Sequence, residues 1–175
     1  MQHEEISMRA LQDSLPLKLL QAREVVMDMF RPHLHAHGIT EQQWRVLRAL
    51  AETTALDAGE LSRRVCLLMP SLSRIIRDLA AQGLLMRRND PRDRRVAIVG
   101  LTDKGRGLFE VMSRESEAIY SAIEAALGVD VCARLMVELD EVVGKLSAIS
   151  ERDVNDASVM ERFKLRKRAA VLQSR

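Results

Sequence analysis

The stretch Leu84-Leu85-Met86-Arg87-Arg88, Asn89-Asp90-Pro91-Arg92-Asp93-Arg94-Arg95, Val96-Ala97-Ile98-Val99-Gly100-Leu101 decides the fold. Its two flanks read as short strands, the second rich in β-branched residues. Asn, Asp and Pro make the middle a turn, and three arginines make that turn a basic tip. Two strands around a basic loop form a hairpin.

Upstream, the period changes to that of helices. Pro70 and Ser71 open a helix that ends at Gly83. Its apolar residues Leu72, Ile75, Ile76 and Leu79 form one narrow stripe. At 100° per residue, Arg74, Arg77 and Asp78 fall on the far side, flanked by Ser71 and Ser73. Before it, Asp57-Ala58-Gly59-Glu60 opens a short helix through Val65, and Cys66 to Met69 break it. Thr40 with Gln43 reads as a capping box for a helix from about Glu41 to Ala51. An earlier helix over 15–37 carries Leu15, Leu19, Ala22, Val26, Met29, Phe30 and His33 on one face. Pro16 suits its first turn and Gly38 its exit, and Pro32 should kink it or thin its hydrogen bonding. Downstream, Thr102 caps a long helix from about Asp103 to Leu127. A last helix covers about 130–148, with Val131, Leu135, Val142 and Leu146 as expected buried positions.

The chain has 175 residues, 47% of them hydrophobic and 30% charged, which suffices for a buried core and excludes disorder throughout. No apolar run approaches the roughly 18 residues that span a bilayer, so no membrane partner is expected. Met1-Gln2-His3-Glu4-Glu5 lacks the order of a signal peptide. Cys66 and Cys132 make no disulfide framework, and a cytoplasmic location follows. The formal net charge is only +2. From Arg63 to Arg106, however, eleven bases face four acids, a local balance of +7 that leaves −5 elsewhere. A basic middle on a near-neutral chain points to a polyanion. The segment 149–175 reads as a C-terminal extension that turns basic, solvated or packed on a partner subunit.

Helix, helix, short helix, basic-faced helix, basic hairpin is the plan of a winged helix-turn-helix. The expected class is mainly α with a small β-hairpin wing. The basic-faced helix offers arginines to guanine edges in the major groove, and wing arginines supply salt-dependent affinity. Residues 40–102 form the DNA-binding part, flanked by helical regions over 15–38 and 103–148.

Asp90-Pro91-Arg92-Asp93-Arg94-Arg95, followed by Val96 through Leu101-Thr102-Asp103-Lys104-Gly105, resembles the wing signature of MarR-type transcriptional regulators. Leu19-Leu20-Gln21-Ala22-Arg23-Glu24, Phe30-Arg31-Pro32 and Thr40-Glu41-Gln42-Gln43-Trp44-Arg45 are similar to strings in that family's repressors of homoprotocatechuate (4-hydroxyphenylacetate) degradation operons. The resemblance implies a homodimer, interlocked through the first and last two helices so that 15–38 and 103–148 form a helical dimerisation region, on a pseudo-palindromic duplex with half-sites roughly 34–36 Å apart. It implies DNA contacts from Pro70, Ser71, Ser73, Arg74 and Arg77 on the helix and from Arg92, Arg94 and Arg95 on the wing. Asp93 is expected to brace a wing arginine, since a free carboxylate would repel phosphate. The resemblance also implies repression relieved by a small aromatic acid or its coenzyme A thioester. Arg23, Arg31, His33, Trp44 and Arg45 are the candidate pocket residues, Trp44 reading equally as core and Arg23 equally as an ion-pair partner.

Four other readings compete with this one. His33 and His37 share a helix face and invite a metal, but the sequence names no third ligand, so no metal set is assigned. Cys66, between Val65 and Leu67-Leu68, reads as a buried inert thiol rather than an oxidant sensor, and Cys132 beside Val131 and Leu135 reads likewise. No Gly-rich phosphate loop, nucleophile elbow or paired His/Cys spacing suggests an enzyme, and no cofactor is expected. A helical interaction protein that does not bind DNA would leave the arginine-rich hairpin idle.

Overall fold

In a computed structural model, residues 10–89 and 97–155 are described. The wing tip (Arg92, Asp93, Arg94 and Arg95 among it) and the segment beyond 155 lie outside the described residues. Two compact units divide at Ser121 and Ala122, inside one long helix.

After a turn at Leu11–Asp13 comes α1, Leu15–Ala36, with Pro near its start as expected. Pro32 does not end it. Proline removes the bond to the Asp28 carbonyl, but only four residues remain before the terminus. The helix closes on Gly38 at φ 66°, where Ile39 N–H donates to the Leu34 carbonyl at 3.0 Å. Next comes α2, Glu41–Ala51, opened by the Thr40/Gln43 box with both reciprocal bonds made. Then α3, Ala58–Arg64, is capped by the Asp57 carboxylate, which accepts from Glu60 N–H at 2.9 Å.

The helix that carries the outward arginines is α4, Met69–Ala81. It ends at Gly83, φ 73°, where Leu84 N–H donates to Leu79 O at 2.9 Å. The hairpin is present, but it belongs to a three-stranded sheet. A two-residue β1, Leu56–Asp57, pairs antiparallel with β3, Ala97–Leu101, which pairs antiparallel with β2, Leu85–Asn89. Two residues are too few to show a period, so β1 left no sequence signal.

Leu47, Leu50, Leu61, Leu72, Leu79, Val46 and Val99 are fully buried where α2, α3, α4 and the sheet meet. Burying each such side chain contributes about 1.5–3 kcal/mol, which holds α4 by one face and leaves the other free. The sheet is tied to α5, Asp103–Leu127, at its first turn. There Thr102 Oγ1 donates to Gly83 O at 2.7 Å and accepts from Gly105 N–H at 3.0 Å. Gly105 is required at this joint, because a Cβ would stand 2.1 Å from the Leu84 carbonyl oxygen.

In the second unit α6 covers Val129–Asn155, longer than the expected 130–148. No Gly or Pro stands after Gly144 to stop it, so the helix outruns its apolar stripe. The positions expected to be buried there are not: Val131, Leu135 and Leu146 are exposed and Val142 is half-buried. Cys66 also departs from the burial its neighbours suggest. It is exposed, with φ 51°, because it occupies the left-handed residue that closes α3. Leu67 N–H reaches back to Ser62 O at 3.1 Å around it. Cys132 is half-buried.

Candidate nucleic-acid interface and sensing cluster

Because Leu72, Ile76 and Leu79 turn inward, Pro70, Ser71, Ser73, Arg74, Arg77 and Asp78 all lie exposed on the outer side of α4. An open cleft of about 530 Å³ runs between the start of α2 and this face, lined by Gln42, Gln43, Ser71 and Arg74 among others. On the other flank, Ser73 shares a recess of about 340 Å³ with Asp57, Ala97 and Arg87 of the wing. Arg87 and Arg88 are exposed along β2 and extend the basic surface from the helix to the hairpin. Neither was singled out from the sequence beyond the charge balance, because a base inside a strand pattern reads first as its solvent side. By contrast, Arg63 and Arg64 both pair with Glu60, whose carboxyl they hold below the usual carboxylate range, Arg64 most strongly. They therefore add less to the positive field than their number suggests.

The five residues expected around an effector do not form one group. Arg23 pairs with Glu24 and Glu41. Arg31 pairs with Glu24 and Asp28 and donates from Nε to Glu41 at 2.9 Å. This network latches α1 to α2. The hydrogen bond from Arg31, with smaller help from Arg23, holds Glu24 below the usual carboxylate range. Trp44 is 5% exposed, stacked on Phe109 at 5.6 Å and edge-on to His33 at 6.3 Å. Arg45, one residue on, turns to the opposite side and donates to the Val65 carbonyl at 2.8 Å, bracing the end of α3.

Arg48, Phe109 and Tyr120 take part in these contacts and were not singled out from the sequence. Arg48, one helical turn further along α2, donates to the Tyr120 hydroxyl at 2.7 Å and lies 5.7 Å over its ring. Phe30 packs against the same ring at 5.0 Å. Their signals were present: Arg48 is i+4 from Trp44, and Tyr120 is the chain's single tyrosine. Two aromatic sets thus bridge to α5: Trp44, edge-on to His33, stacks on Phe109, and Phe30 packs on Tyr120, over which the exposed Arg48 guanidinium lies. Between Phe109 and Tyr120 along α5, Glu115 Oε2 faces His33 Nδ1 at 2.7 Å and His37 Nε2 at 2.8 Å. Those contacts, His37 first, hold its carboxyl below the usual range.

A small sheet with one basic-faced helix held beneath it defines a winged helix-turn-helix regulator. The family model that matches, described as the MarR family, covers residues 39–97. The homoprotocatechuate degradative operon repressor of Escherichia coli is 38% identical over 133 residues, 76% of this chain and 90% of that protein. The transcriptional regulator FarR of Neisseria gonorrhoeae is 38% identical over 138 residues, 79% of this chain and 92% of that protein. Among solved structures, transcriptional regulator PA4135 shares 40% identity with a TM-score of 0.72, over 75% of this chain and 96% of that one. NadR in complex with 4-hydroxyphenylacetate shares 36% identity with a TM-score of 0.66, over 81% of this chain and 97% of that one. The chain belongs to the MarR family. It is a DNA-binding transcriptional regulator and not an enzyme. Among the described residues, no helix is long and apolar enough to cross a membrane.

Proposed function

We propose that this regulator is a cytoplasmic homodimeric repressor of an aromatic-compound catabolic operon, released from its operator by a small aromatic acid or the coenzyme A thioester of one. DNA is bound through Pro70, Ser71, Ser73, Arg74 and Arg77 in the major groove, with the arginines of the wing on the backbone. Two copies pair through the apolar faces of the long helices. On α1, Leu15, Leu19, Leu20, Val25, Val26 and Met29 are all exposed, Val25 to 68%. A patch of that size on a soluble chain is the mark of an interface. On α6, Val131, Leu135, Met136, Val137, Val143 and Leu146 have the same character.

The observation that carries the effector reading is Arg48. Among the described residues it has no carboxylate within ion-pair distance, whereas Arg23 and Arg31 are already paired. A carboxylate arriving at Arg48 meets a cation beside an aromatic wall, the combination an aryl acid needs. The relatives support the same chemistry: one is named for a homoprotocatechuate operon and another was solved with 4-hydroxyphenylacetate. Fluorescence anisotropy on the operator tests it, with hydroxyphenylacetates, hydroxycinnamates, benzoates and their thioesters as titrants. At least one is expected to weaken operator binding, and Arg48→Gln is expected to cut its potency by about tenfold or more, the value of a charged hydrogen bond. Operator affinity unchanged across the whole panel would overturn the effector reading.

A further inference from the structure

His33 and His37 stand one turn apart at the end of α1, and the third group that the sequence could not name is supplied 78 residues beyond His37 by Glu115 on α5. One ring nitrogen from each histidine and one Glu115 oxygen all lie within 4.8 Å of one another. We propose that these three side chains form a binding site for one divalent transition-metal ion of the zinc class.

Four features of the site point that way. First, the donor set of two imidazoles and one carboxylate is the set that suits zinc, cobalt and nickel rather than calcium or magnesium. Second, the spacing is close to what a tetrahedral ion asks. Ligands about 2.0–2.1 Å from zinc are about 3.3 Å apart, so the 2.7 and 2.8 Å contacts of Glu115 need to open by about half an ångström. The Glu115 side chain is 50% exposed and can swing that far, while His33 is held at 8%. Third, His33 has an outer partner. Its Nε2 meets Ser116 Oγ at 3.2 Å, and Ser116 is buried. An Nε2–H that donates to that hydroxyl leaves the Nδ1 lone pair pointing at the site, which is how protein scaffolds orient a metal-binding imidazole. Fourth, His35 between them is exposed on the other side of the helix and takes no part.

One cation can be shared by the two imidazole lone pairs and the Glu115 carboxylate and so satisfy all three groups. Three protein ligands leave a fourth position for water. The ion would join the end of α1 to α5 beside the Trp44–His33 contact. This site does not depend on the effector reading.

Tag-free full-length protein stripped with a chelator is titrated with Zn²⁺ by calorimetry, and with Co²⁺ by visible absorption. We expect saturation at one ion per chain and the intense visible bands of tetrahedral Co²⁺ with imidazole ligands. His37→Gln and Glu115→Gln should each weaken Zn²⁺ binding at least tenfold. Ser116→Ala should weaken it by about 10–100-fold, as loss of an orienting partner does, and His35→Gln should leave it unchanged. Far-UV circular dichroism checks that each variant is folded, and the wild-type Co²⁺ spectrum decides without any variant. Absence of saturable uptake by the wild type overturns the proposal. So does unchanged affinity in folded His37→Gln and Glu115→Gln proteins.

Discussion

α4 and α1 carry the same kind of apolar spacing and meet opposite fates. In α4, Leu72, Ile76 and Leu79 are buried within the chain, and what remains outside is polar and basic. In α1, only Phe30 and Leu34 are buried, and six large apolar residues face outward. The winged part finishes its own core; the long helix does not finish its own. A helix whose stripe is satisfied presents its other face for recognition, and a helix whose stripe is left bare asks for a second chain.

The sharpest way to break this contrast is to charge the bare stripe. Leu19→Asp with Val26→Asp is expected to lower the solution mass from about 40 kDa, twice 19.8 kDa, to that of one chain. Operator affinity should fall by about 10²–10⁴-fold, because two linked half-site contacts become one. Light scattering and anisotropy read both, and an unchanged mass with unchanged affinity would remove α1 from any interface.

The satisfied stripe makes a different prediction. Leu72→Ala should cost about 2–5 kcal/mol of folding stability in urea melts, as deletion of a fully buried leucine does. A loss under 1 kcal/mol would mean that α4 is not anchored as described. Melts at several protein concentrations sharpen the contrast. The wild-type midpoint should rise with concentration because pairing stabilises the fold, and the shift should vanish in the α1 double variant.

The outward face of α4 comes next. Arg74→Ala or Arg77→Ala should cost about 1–3 kcal/mol on the operator and relax selectivity at one base position. Arg94→Ala should weaken all duplexes alike and reduce the salt slope by about one. Equal losses on operator and random DNA for the α4 variants would contradict the groove assignment. The smallest effect is expected at Cys66. A non-glycine residue at φ 51° carries backbone strain, so Cys66→Gly should raise stability by up to about 1 kcal/mol in the same melts.

Most of the architecture was legible because it is written in local signals. Thr40 with Gln43, Asp57, Gly38 and Gly83 each mark a helix end by short-range hydrogen bonds or positive φ, and the structure places the ends there. The two-residue β1 was invisible, since only pairing with β3 makes it a strand. Cys66 was misjudged because its apolar neighbours suggested burial while the turn geometry exposes it. The contacts among α1, α2 and α5 were legible only in part. Trp44 and His33 stood out by residue type, but their partners Phe109 and Glu115 come from α5, more than 60 residues on, as does Tyr120, the partner of Arg48. No pattern within α1 or α2 announces which residues of α5 will meet them.

The central claim is that two copies of α4 read one duplex together. Sedimentation velocity at low salt, with a duplex selected from a random library and a scrambled duplex of equal length, tests it most directly. Two chains bound per selected duplex, with the scrambled one displaced first as salt is raised, is the result predicted here. One chain per duplex, or equal retention of both sequences, would contradict it.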